Sequence, residues 1–343
     1  MKLVTFHSQQ RTNRIGALTA DGKIVDLNAA YALYLRNEEK EGAFFALADA
    51  RVPADMRGLF ANGDRGLEAA RVALEYALKC GPEVKGASGE PIFFRREAVR
   101  IKAPISPKKF FHTAGNFREH HEEAQKSGFS HPVLPWIVFF QNVDAIIGPE
   151  EEIVYPEHLT EELDYELELA VVLKRSGKHF PAERASDYIG GFVIFNDITA
   201  RDIQRREMQS GVFSFSKAID TFCPIGPWIV TKDEIPDAQA LAMELRVNGQ
   251  VRQRGNTAQM LISIPHLVAY HSAQGYSAGD ILTTGTISGV AAVQPNPFEF
   301  YLQPGDTIEA EIQSVGTLRN HVVPWSAAHT TPPYSTDLYS STS

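Results

Sequence analysis

The segment LDYELELAVV, from Leu163 to Val172, constrains the fold of this chain more than any other stretch. Successive side chains of a β-strand point to opposite faces, so Asp164, Glu166 and Glu168 would share one face and the apolar residues between them the other. Carboxylates that lie side by side repel one another unless water or a cation separates them. The segment therefore predicts a strand whose acidic face either meets water, as in an ordinary amphipathic strand, or holds a cation.

A further acid, Asp197, strengthens the alternative in which the acidic face holds a cation. In a strand, Glu166 and Glu168 have Cα atoms roughly 6.5 Å apart, close enough for both carboxylates to reach one ion. Asp197 follows the apolar run GGFVIF, which predicts a buried strand that ends next to it. Asp197 is equally well placed to be a metal ligand or the N-cap of a helix beginning in ITARDIQ. If the three acids converge, their all-oxygen set suits a hard divalent cation, Mg²⁺ or Mn²⁺, with positions left for water and substrate.

Composition limits the class of protein. The chain has 343 residues, a net charge of -9 and 43% hydrophobic content, which is typical of a soluble globular protein. It has no sustained basic stripe, so nucleic acid is not an expected partner. Cys80 and Cys223 form no metal-binding or disulfide pattern, which favours a cytoplasmic setting. No apolar run approaches the roughly 20 residues that a membrane span requires.

The chain divides near Ala103. Residues 1–103 predict a small α/β domain, with a β-meander built from KLVTF, RIGALT and the strand after the Asp-Gly turn in ADGKIVDL. Two helices are expected to follow, and the second ends at Gly81 and Pro82. Residues 104–325 alternate short β-branched and aromatic runs with turns, which predicts a mostly β domain with a few helices. Residues 326–343 lack periodicity and are expected to form a flexible tail. The predicted fold class is α+β, mostly β.

Several segments, taken in order, resemble the fumarylacetoacetate hydrolase family: AGNFREHHEE, DYELELAVVL, YIGGFVIFNDITARDIQ, KAIDTFCPIGPWIVT, VNGQVRQ, TTGTISGV and LQPGDTIEAEIQSVGTLRN. The resemblance covers almost all of residues 104–324 and includes the family's E-x-E…D spacing. It implies a mixed-strand β-roll, a homodimer, and Glu166, Glu168 and Asp197 as ligands of Mg²⁺ or Mn²⁺. It also implies a small-molecule keto acid as substrate and a role in the catabolism of aromatic compounds.

The resemblance assigns catalytic roles to two further segments. On a helix, His120 and Glu123 in REHHEEA share a face and His121 points elsewhere, although from the residues alone this is a polar surface helix. The family's H-x-x-E pair lies on a lid and activates water, with Glu123 orienting His120. Lys217 matches the family's substrate-contacting lysine, which can stabilise a developing anion. From the residues alone, it could instead extend to solvent or pair with Asp220.

Three residues match substrate-binding positions of the family. Arg201 and Gln204 lie one helical turn apart in TARDIQ, and Thr286 lies in the Gly-containing segment TTGTISG. From the residues alone, a solvent-facing ion pair explains Arg201 and an ordinary turn explains Thr286. The chain departs from the family pattern at Phe117, where tyrosine is usual, and at Ile287, where proline is usual.

These roles predict a metal-dependent hydrolase that cleaves a C–C bond of a β-diketo acid, of the acylpyruvate or fumarylpyruvate type, to a carboxylate and a 2-keto acid. A decarboxylase, isomerase or hydratase acting on a 2-keto acid such as oxaloacetate, or one of the 2-hydroxymuconate type, is the nearest alternative, because it needs the same enolate chemistry. A non-catalytic binding protein that has kept the fold is a remote alternative.

Overall fold

The computed structural model describes residues 1–8, 13–126, 137–212 and 214–329. Its strands are β1 (Lys2–His7), β2 (Arg14–Leu18), β3 (Lys23–Asp26), β4 (Phe93–Arg95), β5 (Arg100–Lys102), β6 (Phe110–Ala114), β7 (Ile137–Phe140), β8 (Ile146–Ile147), β9 (Glu152–Tyr155), β10 (Leu163–Asp164), β11 (Leu167–Leu173), β12 (Ile189–Asn196), β13 (Thr199–Ala200), β14 (Cys223–Thr231), β15 (Ala242–Val247), β16 (Gln250–Asn256), β17 (Ile281–Thr286), β18 (Thr307–Ile312) and β19 (Gly316–Pro324). Its helices are α1 (Leu27–Asn37), α2 (Phe44–Arg51), α3 (Met56–Ala61), α4 (Gly63–Cys80), α5 (Arg118–Lys126), α6 (Arg201–Gln209), α7 (Phe215–Ala218), α8 (Ile264–His271) and α9 (Trp325–Ala328).

The amino-terminal strands and the two expected helices, α1 and α4, agree with their sequence signals, whereas α2 and α3 between them were not predicted. Strands β1, β2 and β3 form the predicted antiparallel meander, and Gly22 of the Asp-Gly turn has a φ of 81° that suits glycine. Helix α4 ends at Cys80, and Gly81 caps it with a φ of 88° by donating its N–H to the Ala77 carbonyl. The expected helix in this region is therefore confirmed to its last residue.

The meander continues into a larger sheet. β1 pairs with β14 in antiparallel register, Lys2 opposite Val230, so strands from both predicted domains belong to one twelve-stranded sheet. Its main path runs β4-β3-β2-β1-β14-β12-β11-β17-β6-β7. The proposed boundary near Ala103 stays a prediction, but the backbone hydrogen bonding of the sheet crosses it.

A second sheet of five strands follows the order β16-β15-β18-β19-β9, and β10 pairs with β13. Most pairs are antiparallel, whereas β17 with β6, β19 with β9 and β14 with β8 are parallel. The expected α+β, mostly β fold class is confirmed. Every described helix is too short or too polar to cross a lipid bilayer. Of the expected tail, residues 330–343 lie outside the described residues, and residues 326–328 belong to α9.

The centre of the larger sheet positions the acidic segment. β11 and β12 lie side by side, and every residue of both strands is buried. The expected continuous strand from Leu163 is interrupted at residues 165 and 166, because β10 leaves to pair with β13 before β11 begins. The three acids of this segment are buried, so its acidic face lies inside the protein and not on an exposed surface.

Candidate metal centre and active site

Three carboxylates converge where β11 and β12 meet. Glu168 belongs to β11, Asp197 directly follows β12, and Glu166 lies in the break before β11. One oxygen from each lies within 4.8 Å of the others, and the residues are 6%, 2% and 1% exposed for Glu166, Glu168 and Asp197. Their burial removes the alternative of an amphipathic strand facing water. The helix-cap alternative for Asp197 also fails, because the N-cap of α6 is Ala200.

Lys217 joins two of these acids. Its Nζ lies 2.6 Å from Asp197 Oδ2 and 3.1 Å from Glu166 Oε2, and it donates to Thr199 Oγ1 at 2.7 Å. The residue is only 3% exposed, so the alternative in which Lys217 extends into solvent is excluded. Its ammonium group is directed at the carboxylates rather than at Asp220.

Arg201 binds the remaining acid of the segment. Its Nε donates to Asp164 Oδ2 at 2.7 Å, a terminal guanidinium nitrogen lies 2.6 Å from Glu166 Oε1, and the other donates to Gln204 at 2.9 Å. Asp164 also accepts two backbone N–H groups from the short 3-10 turn Ala291–Val293. Arg201 is buried, so the alternative in which it forms a solvent-facing ion pair is excluded. Its guanidinium group contacts side chains of the protein itself.

Burial and the neighbouring charges shift the pKa values of Glu166 and Glu168 in opposite directions. Burial alone would raise the pKa of Glu166, but the positive charges of Lys217 and Arg201 lower it to about 2. Burial, together with the negative charges of Asp197 and Glu166, raises the pKa of Glu168 well above its ordinary value. Without a further cation, Glu168 thus retains a proton more readily than Glu166 does.

The residues present fit a divalent cation. When ionised, four buried acids (Asp164, Glu166, Glu168 and Asp197) face the two buried cations Lys217 and Arg201, so the negative charges of this group exceed the positive ones by two. Asp197 Oδ1 is buried and has no hydrogen-bond partner among the described residues. A hard cation with two positive charges would balance the cluster and bind that oxygen.

His120 of α5 reaches the same site. Its ring is half-buried, burial lowers its pKa to about 4, and its Nδ1 has no hydrogen-bond partner within the described residues. Glu123 accepts a hydrogen bond from the Gly289 backbone N–H at 3.0 Å, and its pairing with His120 stays a prediction. His121 was expected to face away, and this was wrong: it lines the same cleft and contacts Gln125 at 2.9 Å.

A cleft of about 820 Å³, including its open mouth, connects these groups. All predicted site residues except Glu123 line it: His120, Glu166, Glu168, Asp197, Arg201, Gln204, Lys217 and Thr286. The hydroxyl of Thr286 donates to the Leu167 carbonyl and accepts from Gln253, each at 3.0 Å. The adjacent Gly285 N–H donates to Glu168 at 3.1 Å, so this segment also orients an acid of the cluster.

The sequence did not identify His112 as part of the site. It lies on β6, is 1% exposed, stacks on Phe139, and places Nδ1 3.3 Å from Asp197 Oδ2. A single histidine in an apolar strand has no ligand spacing, and its register with β7 becomes visible only in the folded sheet. Met208 and Val293, which also line the cleft, likewise follow no motif.

Comparison with known proteins identifies relatives that match most of this chain. An oxaloacetate tautomerase of Bacillus subtilis is 35% identical over 313 residues, covering 90% of this chain and 95% of the relative. A human mitochondrial oxaloacetate tautomerase is 34% identical, covering 80% of this chain and 82% of that protein.

A solved structure of a related protein resembles this chain in fold. Maleylpyruvate hydrolase from Sphingobium sp. SYK-6, in complex with manganese(II) and pyruvate, superposes with a TM-score of 0.68 at 25% identity, over 94% of this chain and 99% of that chain. The family model described as fumarylacetoacetate (FAA) hydrolase C-terminal matches residues 109–323, which include every predicted site residue. This chain therefore belongs to the fumarylacetoacetate hydrolase family.

Proposed function

We propose that this chain is a divalent-metal-dependent enzyme that forms the enolate of a 2-keto acid bearing a second carbonyl group at C4. The observation that carries the proposal is the convergence of Glu166, Glu168 and Asp197 beside Lys217 in one cleft. The relatives named as tautomerases and as a hydrolase support it, because both chemistries pass through an enolate.

The chain's own residues would divide the chemistry. Glu166, Glu168 and Asp197 would hold Mg²⁺ or Mn²⁺, which supplies Lewis-acid polarisation of the substrate's keto acid oxygens. Lys217, held by two of these acids, would face negative charge that develops on the substrate. His120, unprotonated at neutral pH because its pKa is about 4, would accept a proton.

The finer function that we propose is hydrolytic C–C cleavage of an acylpyruvate-type substrate. His120, oriented by Glu123, would take a proton from water, and the hydroxide would attack the distal carbonyl. The C–C bond then breaks, its electron pair passes to the pyruvate enolate, and protonation of that enolate gives a carboxylate and a 2-keto acid. Arg201, Gln204 and Thr286 are proposed to orient the substrate from the cleft wall.

Keto–enol tautomerisation of oxaloacetate is the second candidate. His120 as a base would remove a proton more readily from a carbon between two carbonyl groups than from water, because that carbon is the more acidic of the two. The two tautomerase relatives favour the same candidate, as they cover most of this chain. Decarboxylation or isomerisation would begin with the same enolate.

We further propose a homodimer in the cytoplasm that acts in the catabolism of aromatic compounds. The family resemblance supports the dimer and the pathway class, and the absence of a cysteine framework supports a reducing compartment.

One experiment separates these candidates. The purified protein is stripped with a chelator, reloaded with Mn²⁺ or Mg²⁺, and incubated with acetylpyruvate and with oxaloacetate. Release of acetate and pyruvate supports the hydrolase, accelerated loss of the enol absorbance of oxaloacetate supports the tautomerase, and CO₂ supports a decarboxylase. Asp197→Asn should remove all metal-dependent turnover, whereas the exposed control Asp144→Asn should retain it. Turnover that survives in chelated Asp197→Asn would contradict the proposal.

A further inference from the structure

The segment that carries Lys217 has little structure of its own. Helix α7 contains only four residues, and its N-cap Ser214 makes no side-chain capping bond. An isolated turn of helix is unstable, because its first N–H groups have no intrahelical partner. Burial of Phe215 does not compensate, since that residue is 50% exposed.

A carboxylate from the preceding helix provides the missing partners. Glu207 of α6 accepts hydrogen bonds from three consecutive backbone N–H groups: Ser214 at 3.2 and 3.3 Å, Phe215 at 2.8 Å and Ser216 at 3.1 Å. Burial alone would raise the pKa of Glu207, but its interactions with Ser216, through the side chain and the backbone N–H, and with the backbone N–H groups of Phe215 and Ser214 lower it. The group is thus held as a carboxylate at the amino-terminal end of α7, where negative charge is favourable.

The next residue along the chain is Lys217. Its Nζ must extend into a buried position to reach Asp197 at 2.6 Å, Thr199 at 2.7 Å and Glu166 at 3.1 Å. Glu207 does not line the cleft, although its neighbour Met208 does. An effect of Glu207 on chemistry is therefore indirect, and the groups that its carboxylate contacts are the backbone N–H groups of residues 214–216.

We infer that Glu207 is a positioning residue that fixes the backbone of residues 214–216 and so places the ammonium group of Lys217 among the site carboxylates. In its kinetic consequence the inference rests on the proposed function. Its structural part, the placement of Lys217 Nζ, stands independently and has its own measurement.

The structural measurement is chemical labelling of lysines in the metal-free protein, read by mass spectrometry. In the wild-type protein Lys217 should be protected, and in Glu207→Ala it should react at least about 10-fold faster, as expected for a buried amine that becomes accessible. Lys109, which pairs with Asp280 at 2.9 Å and does not contact Glu207 or Lys217, should be unchanged and so exclude global unfolding. If Glu207→Ala folds poorly, Glu207→Gln, which keeps one acceptor oxygen, should show a smaller increase. Equal protection of Lys217 in wild type and both variants would overturn the inference.

The kinetic measurement is a double-mutant cycle with Lys217→Met. Glu207→Ala should lower kcat by about 10- to 100-fold, since a displacement of about 1 Å can cost that much. In the Lys217→Met background it should cause less than about a 2-fold further loss, because its effect passes through Lys217. The exposed neighbour Arg206→Ala should leave kcat unchanged.

The outcomes separate the two proposals. Losses that multiply in the double variant would contradict positioning through Lys217. Full turnover in Lys217→Met would contradict the role of Lys217 in the proposed function, and labelling alone would then decide the inference. If no substrate is turned over, the proposed function fails and labelling again decides.

Discussion

Replacing Lys217 with methionine should destabilise the metal-free protein strongly. The substitution keeps the length of the side chain but removes the ammonium group that Glu166 and Asp197 share. Both carboxylates are buried, so neither can recover the lost interaction from water. The unbalanced charge of the cluster rises at the same time.

The size of the effect follows from the burial of the pair. Removing one partner of a buried ion pair costs about 3–5 kcal/mol. At roughly 2 °C per kcal/mol for a chain of this size, Tm should fall by about 6–10 °C. Lys23→Met is a matched control, because Lys23 forms an ion pair with Asp21 in which the side chains are 36% and 60% exposed. Such an exposed pair contributes little to stability, so Tm should fall by less than about 2 °C.

The assay is thermal unfolding at pH 7, followed by circular dichroism, with and without saturating Mn²⁺. A ligand at 100 times its Kd adds about 2.7 kcal/mol of stability, and Lys217→Met should gain at least as much from the cation as the wild-type protein does. If Tm of Lys217→Met falls no further than that of Lys23→Met, the ion-pair cluster does not exist as described.

Three further predictions concern the acids. Glu168→Gln should weaken Mn²⁺ binding by more than about 100-fold in calorimetry, since even outer-shell substitutions cost roughly 10- to 100-fold; unchanged affinity would exclude Glu168 as a ligand. Because the pKa of Glu168 is raised, this carboxyl group keeps its proton at a pH where a free glutamate has lost it. Cation binding at pH 5–6 should therefore release a proton, and the binding heats measured in two buffers of different ionisation enthalpy should differ. The lowered pKa of Glu166, about 2 against an ordinary 4.5, contributes stability above pH 4.5 that is lost as pH falls toward 2. In urea titrations wild type should lose about 3 kcal/mol more than Glu166→Gln across that range, and parallel losses would contradict this.

Local patterns in the sequence predicted those parts of the site that depend on local geometry. The two-residue spacing of Glu166 and Glu168 and the apolar run before Asp197 indicated where carboxylates emerge from buried strands. Gly81 marked the end of α4 because a backbone with positive φ favours glycine. The remaining metal-site assignments depended on the family resemblance, since spacing alone did not exclude an amphipathic strand whose acidic face meets water.

Features that depend on distant parts of the chain could not be predicted in this way. Asp164 shares the period of Glu166 and Glu168, yet it turns to Arg201 and to a 3-10 turn more than a hundred residues later. The pairing of β1 with β14, and the approach of His112 to Asp197, also join segments far apart in sequence. Periodicity reports which face of an element is apolar and says nothing of the partner that covers it.

The most direct test of the central claim is anomalous diffraction from crystals of the protein grown with Mn²⁺. We expect a single strong anomalous peak between the carboxylates of Glu166, Glu168 and Asp197, in contact with Asp197 Oδ1, which has no hydrogen-bond partner among the described residues. A map at saturating Mn²⁺ with no peak there, and with the three acids bonded only to Lys217, Arg201 and the backbone, would contradict it.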